Sequence, residues 1–302
     1  MKEKVIVFGG SGFLGSQVSD ELAKRGFSVV IYDLQPYQRL KPGQEMVIGD
    51  INDEAKVMRT MKNANIVYNF SAVSDLETAA ADPVETVRVN ILGNTMLLNA
   101  AKDHHIRRFV FASSIYVYGT FGSFYRASKY SSELMIECFS EVFQLDYSIL
   151  RYGSLYGNFA DDTNWIYRIL KEALTTGKIT RYGDGEEIRE YIHVEDAARA
   201  SVDILSDEFK NQSVVITGHH PMKIKDLLIM IKEIMNNEIE IEYKPPRSSL
   251  HYEITPYSFT PKMGRKLASN YYIDLGQGIL DCLQYIHRQI PDTKNKYSWQ
   301  GR

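Results

Sequence analysis

The sequence predicts an α/β protein built on a doubly wound parallel sheet, and two observations carry that expectation. The first lies at the N-terminus. Lys4 to Phe8 is a short β-branched apolar run, followed at once by Gly9-Gly-Ser-Gly12-Phe-Leu-Gly15, a helix-spaced stretch to about Gly26, and a second strand-like run from Ser28 to Tyr32 that ends in Asp33. Strand, glycine turn, helix, strand and acid, in that order, form the unit a dinucleotide-binding fold needs. The second observation is repetition. Strand-like runs recur at 45–48, 66–70, 109–111, 149–152 and 214–217, with helical segments between them, as strands of a parallel sheet require.

Each part of the first unit has a physical reason. Glycine at 9 and 12 permits a tight turn and close approach of the backbone to a pyrophosphate. Gly15 lets helix and strand pack closely, and the helix N-terminus faces the anion. Phe13 and Leu14 open the helix, and with Val18, Leu22 and Ala23 they share one apolar face. Asp33 lies 18 residues past Gly15, where its carboxylate can bond a ribose 2′-hydroxyl and repel a 2′-phosphate. Neither Leu34 nor Gln35 is basic, so the expected cofactor is NAD rather than NADP. Turn glycines without a ligand are the competing reading.

Composition sets bounds. The 302 residues suffice for a large core in one or two domains. Lys and Arg number 35 against 38 Asp and Glu, for a net charge of −3, which gives no electrostatic case for nucleic acid. Cys138 and Cys282 have no metal spacing and suggest no disulfide framework. No metal set is expected. The opening residues lack a signal-peptide pattern and no apolar run reaches membrane-spanning length. The expectation is a soluble cytoplasmic protein.

A second stretch carries chemistry. The apolar run Phe109–Phe111 turns hydroxylic at Ser113 and Ser114, Gly119 and Gly122 mark a turn, and Tyr125 and Lys129 open a helical run. Four positions apart, Tyr125 and Lys129 share a face. A phenol is a poor base at its ordinary pKa of about 10, but a nearby cation stabilises its anion. A hydroxyl such as that of Ser114 can then hold a substrate oxygen while the phenol takes its proton. By itself the pair is equally a solvated helix face.

Taken together, Gly9-x-x-Gly12-x-x-Gly15, an upstream serine and Tyr125-x-x-x-Lys129 resemble the short-chain dehydrogenase/reductase family, and more narrowly its extended branch of NAD-dependent sugar-nucleotide epimerases and dehydratases. The resemblance covers roughly residues 4 to 290. It implies a Rossmann-type sheet (residues 1–152 and 186–220) and a smaller substrate-binding lobe (153–185 and 221–302). It further implies cofactor contacts from Gly9, Gly12, Phe13, Leu14, Gly15, Asp33, Asp50, Ile51, Ser71, Ala72, Val73, Tyr125, Lys129 and Tyr152. Asp50 has a bland alternative, as the cap of the helix that follows. The segment from Asp82 to Thr95 matches a long central helix, with Asn90 read as structural.

By the same resemblance Ser114, Tyr125 and Lys129 are catalytic, and Ser114 and Arg189 bind substrate. Arg189 would clamp a nucleotide diphosphate; a surface ion pair with a nearby glutamate is the alternative. His193 and Asp196 read as structural, at a helix start. The 4,6-dehydratases carry a threonine followed by an Asp-Glu pair where this chain has Ser114-Ile115-Tyr116, which argues against that reaction. There are two departures from the pattern. Ser114 and Tyr125 are only 11 positions apart, far fewer than in typical members, and Gly153-Ser154 replaces the common Phe-Asn. Stretches at 224–235, 238–243, 261–267 and 273–290 match the small lobe, and 292–302 reads as a polar tail.

The expected activity is NAD-dependent oxidoreduction at C4 of a nucleotide-diphosphate sugar, as an epimerase or a dehydrogenase, of the kind used in polysaccharide biosynthesis. The alternative is a non-catalytic NAD(P)-binding sensor or scaffold. Apolar residues Met96, Leu97, Leu134, Met135, Ile136 and Phe139 exceed what one sheet face needs. With the family's habit of pairing these helices, they point to a homodimer.

Overall fold

The computed structural model describes residues 2–245, the backbone of 265–266, and residues 271–290. Apart from Arg265 and Lys266, the 261–267 stretch lies outside the described residues, as does the 292–302 tail. The strands are β1 (Lys4–Phe8), β2 (Ser28–Asp33), β3 (Gln44–Ile48), β4 (Ile66–Asn69), β5 (Arg108–Ser114), β6 (Tyr147–Tyr152), β7 (Ser154–Tyr156), β8 (Lys178–Tyr182), β9 (Ile188–His193), β10 (Gln212–Ile216), β11 (Pro221–Lys223), β12 (Glu240–Lys244) and β13 (Arg265–Lys266). The α-helices are α1 (Phe13–Lys24), α2 (Glu54–Met61), α3 (Leu76–Ala81), α4 (Pro83–Val87), α5 (Asn94–Asp103), α6 (Ser123–Phe143), α7 (Trp165–Thr176), α8 (Val194–Asp203), α9 (Ile224–Ile234) and α10 (Leu275–His287).

Alternation along β1 shows how the main sheet is covered. Val5 and Val7 enter one core with Val18 and Leu22 of α1 and Ala197 of α8. Ile6 and Phe8 enter a second core with Val57 of α2, Leu97 of α5 and Ile136 of α6. Both faces are buried, which is why the strands read as unbroken apolar runs. The eight strands run in the order β13-β10-β6-β5-β4-β1-β2-β3, with every pairing parallel. This is the doubly wound order, and it reverses between β1 and β4, where such sheets bind ligands at their carboxyl ends.

A third core joins α7, α9 and α10 through residues such as Leu170, Leu227 and Ile279. Two small sheets, β11-β9-β7 and β12-β8, accompany it. Sequence expectations for the elements differ by a residue or two at most ends. The central helix differs more. Asp82 caps α4, with Pro83 in its first turn, and the chain then passes through a π-type turn at Arg88–Gly93 before α5.

Gly15 sits where α1 crosses the turn after β1. A Cβ there would lie 2.2 Å from the carbonyl oxygen of Gly9. Gly15→Ala should force α1 away from β1 and cost on the order of 1–3 kcal/mol, the usual range for overpacking. Chemical denaturation checks this; an unchanged midpoint would show that the turn yields freely.

Candidate active site

The glycine turn meets the loop after β4 at the reversal of strand order, and the start of α6 lies at the end of the neighbouring β5. Gly9 adopts a φ of +74°, and a Cβ on it would lie 2.5 Å from the backbone nitrogen of Ser71. The loops after β1 and β4 therefore touch at a position only glycine fills. Gly12 occupies the N-cap of α1 without a side chain, Phe13 and Leu14 form its first turn, and Leu14 packs against the core. The amide of Ser11 donates to Asp33 Oδ2 at 3.0 Å and that of Gln35 to Oδ1 at 3.0 Å. The acid at the end of β2 is thus tied to the glycine turn.

Asp50 does not cap α2; Asp53 does, accepting from the amide of Lys56. Asp50 instead accepts from the amide of Asn52 at 2.8 Å and lies 3.6 Å from Arg88. Burial pushes its carboxyl up, but hydrogen bonds from Asn52 and the Arg88 guanidinium outweigh this and leave it below its ordinary value. Ile51 beside it is buried. Ser71, Ala72 and Val73 are half-buried. Asn90, in the π-type turn, brackets Val73: its Oδ1 accepts from the Val73 amide at 2.8 Å, and its Nδ2 donates to the Val73 carbonyl at 3.0 Å. A backbone-lined, small-residue cradle ending in a carboxylate fits a dinucleotide with a free ribose hydroxyl.

Ser114 ends β5, and the half-buried Tyr125 opens α6. Their hydroxyls are hydrogen-bonded, and burial outweighs this contact and pushes the phenol up to about 12. Lys129 is 3% exposed. Its Nζ donates to the carbonyl of Ala112 at 2.8 Å and lies 5.8 Å from the Tyr125 ring centroid. Burial pushes this ammonium down to about 7, against the opposing pull of Glu133. The sequence reading has Lys129 lowering the phenol pKa; in this arrangement burial dominates both groups. Tyr152 pairs in register with Ser114, so their side chains share a face of the sheet. Its hydroxyl is bonded to Ser201 Oγ at 2.6 Å.

Arg189 lies on β9, in the small three-stranded sheet. It is 8% exposed, so it is not a surface residue, and its Nη1 donates to the carbonyl of Ile188 at 3.0 Å. His193 caps α8, and Asp196 accepts from the amide of Ile273 at 2.7 Å, in keeping with structural roles for both.

Sequence reasoning missed a set of buried polar groups around α6. Asn90 Nδ2 also donates to Ser128 Oγ at 2.9 Å, and Ser128 Oγ donates to the Tyr125 carbonyl at 2.8 Å. Glu133 accepts from Ser113 Oγ at 2.5 Å and from Arg151 at 3.0 and 2.7 Å. A signal for Glu133 was present: it stands four positions past Lys129, on the same helix face.

Fold and cradle define a dinucleotide-dependent enzyme of the extended short-chain dehydrogenase/reductase type. The pattern of the NAD dependent epimerase/dehydratase family matches residues 5–217, and the chain belongs to that family, with NAD as its cofactor. It is 28% identical over 298 residues to a putative UDP-glucose 4-epimerase of Methanocaldococcus jannaschii, covering 91% of this chain and 95% of that one. It is also 29% identical over 218 residues to a dTDP-glucose 4,6-dehydratase of Streptomyces antibioticus, covering 64% and 65% of the two chains. The crystal structure of the Thermus thermophilus UDP-glucose 4-epimerase in complex with NAD shares the fold, with a TM-score of 0.79 at 24% identity over 95% of this chain and all of that one.

Asp33 should select the cofactor. The nearby base Arg39 is engaged elsewhere, its guanidinium 3.3 Å from the ring centroid of Phe159. A 2′-phosphate would meet a carboxylate with no cation beside it among the described residues, so NAD should bind more tightly than NADP, and Asp33→Ser should narrow the gap. Fluorescence titration with both cofactors checks this; equal or tighter NADP binding by the native chain would contradict it.

Proposed function

We propose that this chain catalyses NAD-dependent oxidoreduction at C4 of a nucleotide-diphosphate sugar, as an epimerase or a 4-dehydrogenase. The observation that carries the reading is the meeting of Ser114, Tyr125 and Lys129 at the carboxyl end of β5, one strand from the reversal of strand order. When bound, NAD supplies the hydride acceptor. Ser114 Oγ holds the sugar oxygen, and Tyr125 Oη takes the hydroxyl proton. Lys129 favours the phenolate and binds the cofactor ribose. In epimerisation Tyr125 returns the proton to the same oxygen after the sugar has presented its other face. Arg189 holds the diphosphate, for which a planar guanidinium is suited.

The reading leaves out 4,6-dehydration, although dehydratases are among the relatives. That reaction needs an acid beside the hydroxyl residue. Here the next residues are Ile115, buried in the core, and Tyr116, whose ring meets Tyr125 edge-on at 6.2 Å. The division of labour we infer is a cofactor domain of residues 1–152 and 186–220 and a substrate lobe of 153–185 and 221–302. Two free cysteines, and no helix among the described residues long and apolar enough to cross a membrane, support a cytoplasmic setting. Polysaccharide biosynthesis is the pathway class that consumes such sugars.

Mutation of the three residues tests the mechanism. Tyr125→Phe removes the proton carrier and little else, so turnover should fall by roughly 10²–10⁴ while NAD stays bound. Ser114→Ala should cost less, because water partly replaces its donor. Lys129→Met should impair both turnover and NAD binding. Near-native turnover by folded, NAD-loaded Tyr125→Phe would overturn the assignment.

The homodimer is part of the same proposal, on revised residues. Leu97 and Ile136 belong to the core, while Met96, Met135 and Phe139 are half-buried. Exposed apolar residues on α4, the π-type turn and α6 include Val84, Val87, Leu92, Tyr130 and Leu134. We expect light scattering to give twice the 34.6 kDa chain mass and Leu134→Glu to give a folded monomer. A native chain that is monomeric at micromolar concentration would leave this face without a partner copy.

A further inference from the structure

Two loops that follow distant strands touch at the carboxyl edge of the main sheet. Arg39, in the loop after β2, places its guanidinium 3.3 Å from the ring centroid of Phe159, in the loop after β7. β7 follows directly on β6, and in the parallel sheet both β6 and β2 end at the same edge. There β5, β4 and β1 stand between them, so four strand spacings of about 4.8 Å separate the two points of departure, roughly 19 Å. The contact therefore spans the edge along which the residues assigned to the cofactor are strung: Asp33 at the end of β2, the glycine turn after β1, Ser71 to Val73 after β4, and Tyr125 by the end of β5. Tyr37 and Leu155, near the two ends of the bridge, both pack into the core that α1 shares with the sheet. Tyr37 Oη also donates to Asp20 of α1 at 3.2 Å. The bridge thus lies on the α1 side of the edge.

Each partner is presented by a fixed support. Phe159 adopts a φ of +69°, a conformation rare for a bulky side chain. Its ring meets Tyr285 of α10 edge-on at 5.0 Å, so it is backed by the third core, against which Tyr285 packs. The backbone around Arg39 is anchored on both sides, by the buried Tyr37 and by Lys41, which pairs with Asp20 at 2.6 Å. The long side chain of Arg39 is the part free to swing. No carboxylate pairs with it among the described residues; the rings of Phe159 and, at 5.3 Å, Tyr37 hold it. Phe159 is 40% exposed, and a cation over a half-exposed ring is a weak contact, able to open and reclose. We propose that Arg39 and Phe159 form a clasp across the α1 side of the cofactor cradle, which closes over bound NAD and must open for it to leave. The clasp acts on the cofactor alone, so it is independent of which sugar reaction follows.

Release of NADH, followed by its fluorescence when excess NAD is added to the NADH-loaded protein, tests this. Arg39→Met and Phe159→Asn should each speed release by about three- to tenfold, as expected for loss of one cation–π contact acting on dissociation. Asn tolerates the left-handed backbone at position 159, so the loop keeps its course without the ring. The double variant should release NADH no faster than the faster single one, because both changes break the same contact. Arg39→Lys, which keeps a cation over the ring, should restore part of the retention. Thermal melting of the cofactor-free variants separates a clasp from a brace. If they melt earlier than the native chain yet release NADH at its rate, the contact only steadies the loops and the clasp is overturned. If Arg39→Met speeds release and Phe159→Asn does not, Arg39 acts on the cofactor without Phe159, and the clasp is again overturned.

Discussion

Lys129 carries an ammonium into the interior and gives it a single backbone acceptor, the carbonyl of Ala112. A buried cation is costly unless its partners are fixed in place, so α6 can sit on β5 in only one register. That register determines much else. It sets Tyr125 against Ser114 and Glu133 against Ser113. One face of the helix thus addresses three successive residues of the strand. Any slip of α6 would part the hydroxyl pair and strand two buried charges together, which is a steeper penalty than apolar packing alone would impose.

The short connection between Ser114 and Tyr125 follows from the same seating. The chain leaves β5 through a tight 3₁₀ turn at Ile115–Tyr118 and must reverse within a few residues. Gly122 does this at a φ of +93°, where a Cβ would also lie 2.7 Å from the Tyr116 ring. Ser123 follows at a φ of +44°, a conformation L residues other than Asn and Asp rarely adopt. Arg126 Nη1 holds the turn by donating to the Gly119 carbonyl at 2.6 Å. With no longer loop to frame the cleft, Phe121 and Phe124 are left exposed beside Tyr125. In the proposed reaction these rings would border the sugar on that side.

The fold was legible in the sequence because both faces of the main sheet are covered. Val5 through Phe8 and Phe109 through Phe111 could be nothing but buried strands, and Gly15 signalled the helix crossing. The π-type turn was not legible, because apolar spacing through 88–93 is compatible with an ordinary helix and the bonds of Asn90 to Val73 are visible only in the fold. Arg151 was hidden in another way. It interrupts an apolar strand, and only the fold shows that Glu133 meets it there. Asn90 was read as structural, which is what its hydrogen bonds support, but the sequence held no hint that it spans the cofactor cradle and α6. For the candidate surface between copies, helix spacing placed apolar residues on α5 and α6 without telling which of them the sheet claims; Leu97 and Ile136 went to the core.

Asn90 explains why that irregular turn is kept. Its side-chain amide makes two bonds to the backbone of Val73 and one to Ser128, while its backbone carbonyl accepts from Ser132 Oγ at 2.7 Å. Each residue of an α-helix turns the chain by about 100°, and a π-type turn inserts one extra residue and so changes where the side chains around it point. Here the change lets one side chain reach the stretch after β4 on one side and the first turns of α6 on the other. Through Ser128 the chain of bonds ends on the Tyr125 carbonyl. The wider turn gives up regular helical bonding, and in return the stretch after β4 and helix α6 are joined through one side chain.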